Sequence, residues 1–207
     1  MLVVALTGGI ATGKSIVAKT LQNLGCYVHQ ADQIAHQLME PEKPAWKKIV
    51  SHFGEEILNP DKTVDREKLG TIVFNDEKER NFLNQLLHPL VLEEKKKIIN
   101  KLRKDGHYKI FVSEAALTIE SGFAEFFDKI IVVYCREEIQ IKRLMERDNI
   151  SREVALRKIG SQIPSEEKLK QADYTIDSSD TIPSTVEQTE KVFSNLMFDY
   201  GKKHGNR

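Results

Sequence analysis

The chain has 207 residues, of which 31 are Lys or Arg and 31 are Asp or Glu, so its formal net charge at pH 7 is zero. This length is enough to bury a full core as one domain, or as one domain with a modest insertion, and a second independent domain is not expected. The balanced charge gives no indication of a nucleic-acid or membrane-surface partner, so any positive field must be local.

The sequence shows neither a membrane span nor a targeting segment. Its longest apolar run, Ile130 to Cys135, is far too short to cross a bilayer, and no basic region precedes an apolar stretch, because the first charged side chain is Lys14. We therefore expect a cytoplasmic protein. Cys26 and Cys135 are too few and too far apart for a disulfide framework or a zinc site, and we interpret them as packing thiols.

The first predicted element is an apolar strand, Leu2–Leu6, followed at once by a glycine-rich loop. This loop fits the pattern G-x-x-x-x-G-K-[ST] and consists of Gly8, Gly9, Ile10, Ala11, Thr12, Gly13, Lys14 and Ser15. Glycines leave backbone N–H groups free to point at phosphate oxygens, the lysine reaches the β- and γ-phosphates, and the Ser15 hydroxyl ligates Mg²⁺. An apolar helical face follows, so the positive end of the helix dipole would meet the phosphates. We predict a nucleotide-binding P-loop that extends to Ile16, with a fortuitous glycine-rich turn as the alternative.

Further apolar runs alternate with helix-length segments along the chain. The predicted strands are Tyr27–His29, Ile110–Ser113, Ile130–Tyr134 and, more weakly, Tyr174–Ile176. This βαβ alternation predicts an α/β fold of three layers, with a five-stranded parallel sheet between helices, and ligands gather beyond the carboxyl ends of such strands. The P-loop, Asp32, Glu114 and Asp177 lie at or just past strand ends, and the strand before Asp32 is expected next to the P-loop strand.

Two segments interrupt the predicted core, which comprises residues 1–35, 107–147 and 172–207. Residues 36–106 carry no strong strand signal and are predicted to be an inserted helical subdomain, and residues 148–171 are rich in charge and would suit a mobile lid. The predicted helices are Ala45–Phe53, Arg66–Phe74, Pro89–Lys104, Ser151–Ile159 and Pro164–Gln171, with a turn at Asn59–Lys62. The basic run Lys95-Lys96-Lys97 is interpreted as a solvated helix face.

Beyond the P-loop, several short motifs are spread over the rest of the chain. They are Ala31-Asp32 with Ile34-Ala35, Val64-Asp65-Arg66, Leu87-His88-Pro89-Leu90, Arg143 with Arg147-Asp148, Gln162 with Lys168, Ala172-Asp173-Tyr174 and Ile176-Asp177. In this order and spacing the sequence resembles the dephospho-coenzyme A kinase family, P-loop kinases of the nucleoside-monophosphate-kinase type.

The resemblance implies an activity and its cofactors. The γ-phosphate of ATP would pass to the ribose 3′-hydroxyl of dephospho-coenzyme A, the last step of coenzyme A synthesis, with Mg²⁺ as the metal. The inserted helices would bind this small-molecule acceptor, and no nucleic acid, membrane or obligate protein partner is implied. Three positions depart from the family pattern: Ile16 stands where Thr is usual, His36 where Arg is common, and Glu114-Ala115-Ala116 where an aspartate precedes Pro-Leu.

Phosphoryl transfer requires positive charge around a dispersed anionic transition state and a group that receives the acceptor's proton. Lys14, Mg²⁺, Arg143 and Arg147 are the candidates for the first role. Asp32 is the candidate base, and the alternative is the N-cap of a helix over Gln33–Glu40. Glu114 closes a strand and is a candidate to hold a metal-bound water or to orient the nucleotide, with a strand-end surface acid as the alternative.

The remaining candidates rest on position and on the resemblance. Arg143 and Arg147 are four residues apart and therefore share a helix face before the expected lid, although surface pairing with nearby glutamates is the alternative. His88, at an expected helix start, is either structural or in contact with the coenzyme A moiety. The resemblance adds Arg66 and Glu114 as candidate substrate contacts. It also places Asp177-Ser178-Ser179 where related kinases bind adenine through backbone groups.

Other functions remain open from the residues alone. A kinase of another nucleotide or small metabolite would share every motif of the P-loop, and a nucleotide-dependent switch would share the fold. Against the switch, the sequence has no Asn-Lys-x-Asp segment and no Asp-x-x-Gly after the third strand. A binding module without catalysis is disfavoured by the intact Lys14, Ser15 and Asp32.

Overall fold

A five-stranded parallel sheet organises the first of two compact units in the computed structural model. The structure describes residues 1–120 and 122–205, and of Asp32 it describes the backbone only. The strands lie in the order β2-β3-β1-β4-β5, and they are β1 Leu2–Thr7, β2 Tyr27–Gln30, β3 Ile110–Glu114, β4 Lys129–Tyr134 and β5 Tyr174–Asp177. All four pairings are parallel, which confirms the predicted α/β fold.

The described helices lie between these strands along the chain and after the last of them. They are α1 Lys14–Asn23, α2 Ala31–Leu38, α3 Pro44–Phe53, α4 Arg66–Asn75, α5 Glu77–Asp105, α6 Glu137–Asp148, α7 Arg152–Gly160, α8 Ser165–Leu169 and α9 Ile182–His204. The first unit is Met1–Gln30 with Leu102–Arg207. The second unit, Ala31–Lys101, contains most of the predicted inserted subdomain.

Strand β1 lies at the centre of the sheet, and every one of its residues is buried. A strand that is apolar on both faces is typical of a parallel sheet with helices on each side. On one face Leu2, Val4 and Leu6 pack in a cluster with residues of α1 and α9. The chain runs from β1 to β2 on one side and later from β3 across β1 to β4 on the other, so the strand order reverses at β1. In such folds ligands bind at the carboxyl ends of the strands at this point.

The strand order and the start of α2 correct two expectations about Asp32. The prediction that β2 lies next to β1 is wrong, because β3 pairs with both strands and lies between them. Strand periodicity carries no information about such a crossover. The N-cap alternative is also wrong, because α2 begins at Ala31 and Asp32 therefore lies within its first turn. The side chain of Asp32 lies outside the described residues, so its role as a base stays a prediction.

Helix α5 corrects two further expectations. The predicted start at Pro89 is wrong, because Pro89 lies inside a continuous helix that begins at Glu77. Proline removes one intrahelical hydrogen bond, but Leu86, Leu87 and Leu90 pack against the apolar cluster of the second unit on both sides of the interruption. Lys95 is 8% exposed, so it does not belong to a solvated face.

The chain carries no candidate for membrane insertion in the ranges 1–120 and 122–205, where each helix is too short or too polar to span a bilayer. Cys26 and Cys135 are buried free thiols, as predicted. Burial raises the pKa of Cys26 to about 12 and also raises that of Cys135, so both thiols are protonated at neutral pH.

Candidate functional site

The loop between β1 and α1 has a backbone that only small residues permit. Gly8 has φ 148°, and a Cβ there would lie 2.1 Å from the backbone oxygen of Val133 on β4. Gly13 has φ 88° and forms the N-cap of α1 without any side-chain cap. Ala11, at φ 58°, lies in the sparsely populated left-handed region. Strain of this kind is stored at sites where function requires the shape.

The same loop presents several N–H donors at the start of α1. Within the described part of the chain, the backbone N–H groups of Ala11, Gly13 and Ser15 donate to no protein atom. The first turn of a helix leaves such donors unsatisfied, and together with the helix dipole they form an anion-binding site. The Nζ atom of Lys14 lies over the loop, 3.0 Å from the oxygen of Gly8 and 2.8 Å from that of Gly9.

Two glutamine side chains hold the tip of the loop at Ile10. Gln162, between α7 and α8, accepts from the Ile10 N–H through Oε1 at 2.9 Å. Gln140, buried on α6, donates from Nε2 to the Ile10 oxygen at 2.8 Å. Ile10 and Ala11 also pack against the apolar cluster of α6 and α7. The loop is therefore fixed through both its backbone and its side chains.

Arg143 reaches the loop through Ser178. Its guanidinium donates to the Oγ and the backbone oxygen of Ser178 at 3.1 and 2.8 Å, and Ser178 Oγ donates to the oxygen of Thr12 at 2.6 Å. A Cβ on Gly13 would lie 3.8 Å from Nη1 of Arg143, so this cation lies beside the loop. Ser178 follows Asp177, whose carboxylate accepts from the Ser179 N–H at 2.8 Å.

Arg147 has a different environment although it shares the helix with Arg143. Its Nε lies 2.8 Å from Oδ1 of Asp148, and the side chain is 56% exposed. Lys158 on α7 binds the other carboxylate oxygen at 2.8 Å. Hydrogen bonds from Arg147 and then Lys158 lower the pKa of Asp148 to about 2. Among the described residues, no hydrogen bond or ion pair joins Arg147 to the P-loop.

The end of β3 lies beside the end of β1, where Glu114 is paired with Leu6. The loop that follows is bound back to β1, because the Ala115 N–H donates to the oxygen of Leu6 at 3.0 Å and Thr7 Oγ1 donates to the oxygen of Ala116 at 3.1 Å. Glu114, which is half-buried, is thereby held next to the strand that leads into the P-loop.

The second unit carries the other predicted residues. Arg66 is exposed at the start of α4, where Asp65 accepts from two backbone N–H groups as the N-cap. His88 lies in the middle of α5 and is half-buried, and burial, followed by the charge of Lys95, lowers its pKa. A cleft of about 250 Å³ also lies in this unit, lined by Ile34, Gln37, Leu38, Lys43, Glu94 and Ile98.

Comparison with known proteins identifies the family. The sequence model of dephospho-CoA kinase matches residues 2–184. The chain belongs to the dephospho-CoA kinase family. A relative of that name from Carboxydothermus hydrogenoformans is 43% identical over 202 residues, which cover 97% of this chain and 98% of the relative.

Solved structures agree with this family and with the fold. The dephospho-CoA kinase from Campylobacter jejuni has a TM-score of 0.68 and 33% identity, covering 94% of this chain and 96% of that one. A shikimate kinase from Acinetobacter baumannii, in complex with shikimate, has a TM-score of 0.54 at 15% identity, covering 96% of this chain and 94% of that one. The latter shares the fold of a P-loop kinase.

Kinases that transfer phosphoryl groups from ATP ordinarily use Mg²⁺. In the described residues no group of three or more His, Cys, Asp or Glu side chains forms a metal site. Mg²⁺ in phosphoryl-transfer sites is held by one or two protein oxygens together with substrate phosphates and waters, so a preformed cage is not needed. The Ser15 side chain, exposed at the start of α1, offers one such oxygen. The residues therefore fit Mg²⁺ bound together with a nucleotide.

Four residues of the site carry contacts that sequence reasoning did not assign. Nothing in the sequence indicated Gln140, because a buried glutamine on a helix is common. Ser178 was expected to act through its backbone, and the role of its side chain was missed. Gln162 and Lys168 were noted only as part of the resemblance, without a role. Lys168 lies within the expected lid, yet it is fully buried. The mobility of residues 148–171 stays a prediction.

Proposed function

We propose that this protein transfers the γ-phosphate of ATP to the ribose 3′-hydroxyl of dephospho-coenzyme A, giving coenzyme A and ADP. The observation that carries this proposal is a strained P-loop with N–H donors at a helix start, in a chain of the dephospho-CoA kinase family. Two buried free cysteines suit a reducing compartment, and we infer that the protein works in the cytoplasm.

On the donor side, the N–H groups of the P-loop and Lys14 bind the phosphates of ATP. When bound with ATP, Mg²⁺ would neutralise charge on the β- and γ-phosphate oxygens. The hydroxyl oxygen of Ser15 would be its ligand from the protein. Arg143, held beside Gly13 by Ser178, is the cation placed to interact with charge that develops on the transferred group. The segment Asp177-Ser178-Ser179 is our candidate for backbone contacts with adenine.

On the acceptor side, Asp32 is the proposed base. It takes the proton of the 3′-hydroxyl, whose oxygen bonds to the γ-phosphorus while the bond from phosphorus to the β–γ bridging oxygen breaks and ADP leaves. The second unit is proposed to hold the acceptor, with Arg66 and His88 as candidate contacts. Its cleft combines apolar walls with Lys43 and Glu94, which suits a chain of methylenes and amides.

An acceptor screen tests this function. The protein is incubated with ATP, Mg²⁺ and dephospho-coenzyme A, and the product is identified by mass, with shikimate and nucleoside monophosphates as competing acceptors. We expect coenzyme A in stoichiometric balance with ADP. Phosphorylation of another acceptor in preference would indicate a different small-molecule kinase, and nucleotide binding without any product would favour a switch.

The acceptor cleft is tested separately. Ile98→Trp fills the cleft with a larger side chain, so we expect KM for dephospho-coenzyme A to rise about tenfold or more while KM for ATP changes less than twofold. Lys96→Ala, exposed on the same helix, is the matched control. An unchanged KM for the acceptor in Ile98→Trp would remove the cleft from the proposal without affecting the donor site.

A further inference from the structure

Lys168 on α8 is a fully buried lysine with two partners in a single loop. Its Nζ donates to the oxygen of Ala116 at 2.8 Å and lies 2.6 Å from Oε1 of Glu120. The Lys168 side chain is 1% exposed and that of Glu120 is 17% exposed. Lys170, two residues later, is 68% exposed and pairs with Glu167, so burial is particular to Lys168.

A buried ion pair is weak evidence for a stabilising role. Removing two charges from water is costly, and well-packed apolar residues of similar volume often stabilise a protein as well or better. An ion pair with an additional hydrogen bond does something that apolar packing does not, because it fixes the direction of the groups that it joins. The groups joined here are α8 and the loop after β3.

The loop after β3 is bound to residues next to the P-loop at Ala115 and at Ala116. Its oxygen at Ala116 accepts from Lys168 and from Thr7, which immediately precedes Gly8 of the P-loop. Its first residue, Ala115, follows Glu114 and is bound to β1. Glu114 is therefore followed directly by a loop that Thr7 binds from β1 and Lys168 binds from α8.

We propose that Lys168 is a positioning residue for Glu114, a candidate contact of the acceptor: with Glu120 it holds residues 115–120 against β1 and so sets the place of the Glu114 carboxylate. The inference rests on the proposed function. Because its Nζ is buried and bonded to the loop, Lys168 does not contact nucleotide phosphate and acts only through its partners. Loss of Lys168 thus affects use of the acceptor more than binding of ATP.

The test compares three variants with a matched control. Lys168→Met keeps the length of the side chain and removes its charge and donors. Lys168→Met/Glu120→Gln also removes the carboxylate that would be left buried without its partner, and Lys168→Arg keeps both charge and donors. Lys170→Met is the control on the same segment. For each protein, kcat and both KM values, the thermal midpoint and amide hydrogen exchange of residues 115–120 are measured.

We expect Lys168→Met to lower kcat/KM for dephospho-coenzyme A by about tenfold to a hundredfold, the loss typical of one hydrogen bond to a charged group, with KM for ATP within about twofold of the wild type. The double variant should regain thermal stability but not kcat/KM, because the oxygen of Ala116 keeps the donor Thr7 but still lacks the donor on α8. Lys168→Arg should retain more activity than either, and Lys170→Met should match the wild type.

A double variant with wild-type kcat/KM would overturn the proposal, since Lys168 would then serve only to neutralise Glu120. Hydrogen exchange decides the same question without any turnover. Residues 115–120 should exchange several-fold faster in Lys168→Met and in the double variant, and protection equal to the wild type would also overturn the proposal. If the wild type makes no coenzyme A while exchange behaves as expected, the proposed function fails and the role of Lys168 in holding the loop stands.

Discussion

Arg143 donates to Ser178 twice, from Nη2 to its backbone oxygen at 2.8 Å and from Nη1 to its hydroxyl at 3.1 Å. Ser178 passes this contact on, because its Oγ donates to Thr12 in the P-loop at 2.6 Å. One arginine on α6 is thereby coupled to the end of β5 and to the phosphate-binding loop. A planar guanidinium makes such paired contacts only when it is correctly placed.

Replacement of Arg143 is expected to affect the reaction more than the fold. Arg143→Ala removes a cation beside Gly13 and a clamp on Ser178, so we expect kcat to fall by about 10²–10³-fold, comparable to the loss of one preorganised transition-state donor. Arg143→Lys should recover little, because it cannot make both contacts. Steady-state kinetics measure this, with Lys142→Ala as the exposed control. A kcat near that of the wild type in Arg143→Ala would show that Arg143 has only a structural role.

Lys14 is expected to be the residue with the largest effect on the donor side. Lys14→Ala removes the cation that stabilises negative charge on the phosphoryl group during transfer. In active sites that rely on electrostatic stabilisation such a loss costs about several kcal/mol, so turnover should nearly vanish. The fold should survive, since the hydrogen bonds from Lys14 to Gly8 and Gly9 are contacts within the loop itself. Circular dichroism and product formation, with Lys19→Ala on the exposed side of the same helix, test this. Activity close to that of the wild type would contradict the P-loop assignment.

Asp32→Asn separates basicity from shape. The amide keeps the size of the side chain but cannot accept a proton, so we expect kcat to fall by about 10²–10⁴-fold with little change in ATP affinity. A carboxylate in the first turn of a helix contributes only about 0.3–1 kcal/mol through the dipole, and a small decrease in thermal midpoint is expected. An active but destabilised variant would assign Asp32 to the helix rather than to the chemistry.

The strands and the P-loop were predictable because their signals are local. β-branched runs such as Ile130–Tyr134 and the fixed glycines of the loop each reflect the conformation of the residues themselves. The strand order was not predictable, since nothing local tells whether β2 or β3 lies beside β1. The start of α5 was predicted wrongly for a related reason. Proline normally ends or begins a helix, but at Pro89 tertiary packing on either side outweighs this local preference.

The contacts around the loop were harder to predict than the loop. Gln140, Gln162, Lys168 and Ser178 act through hydrogen bonds to backbone atoms distant in sequence, and residue type gives no indication of such partners. The burial of Lys95 and Lys168 was the hardest feature to predict, since lysine is rarely buried. Lys95 was expected on a solvated face, and Lys168 was noted only as part of the resemblance.

Arg147 is expected to contribute to the rate without contributing much to stability. It pairs with Asp148 in the structure, but Lys158 binds the same carboxylate, so Arg147 can leave this contact for a phosphate without leaving Asp148 unpaired. We expect Arg147→Ala to lower kcat by about tenfold or more, while the thermal midpoint changes by a few degrees at most, as for an exposed pair. Lys158→Ala is the control that should retain kcat, and equal kinetics in both variants would leave Arg147 as a surface residue.

Asp148 gives the fold a specific dependence on pH. Its pKa is lowered from the ordinary 3.8 to about 2 by hydrogen bonds from Arg147 and Lys158. A depressed pKa in the folded state means that the stabilisation is fully present above the ordinary pKa and is lost as the pH falls through the folded value. Asp148→Asn should therefore lower the free energy of unfolding relative to the wild type at pH 6–7. The difference should shrink as the pH falls below about 4 and be lost below about pH 2.

Urea unfolding of both proteins at a series of pH values measures this difference. The control is the Arg147→Ala/Lys158→Met background, in which Asp148 has neither cation, so Asp148→Asn should there lose most of its pH-dependent effect. A difference between the wild type and Asp148→Asn that is independent of pH from 7 to 3 would assign the effect to packing or to a neutral hydrogen bond. A difference confined to the intact background would show that the two cations from α6 and α7 act through this one carboxylate.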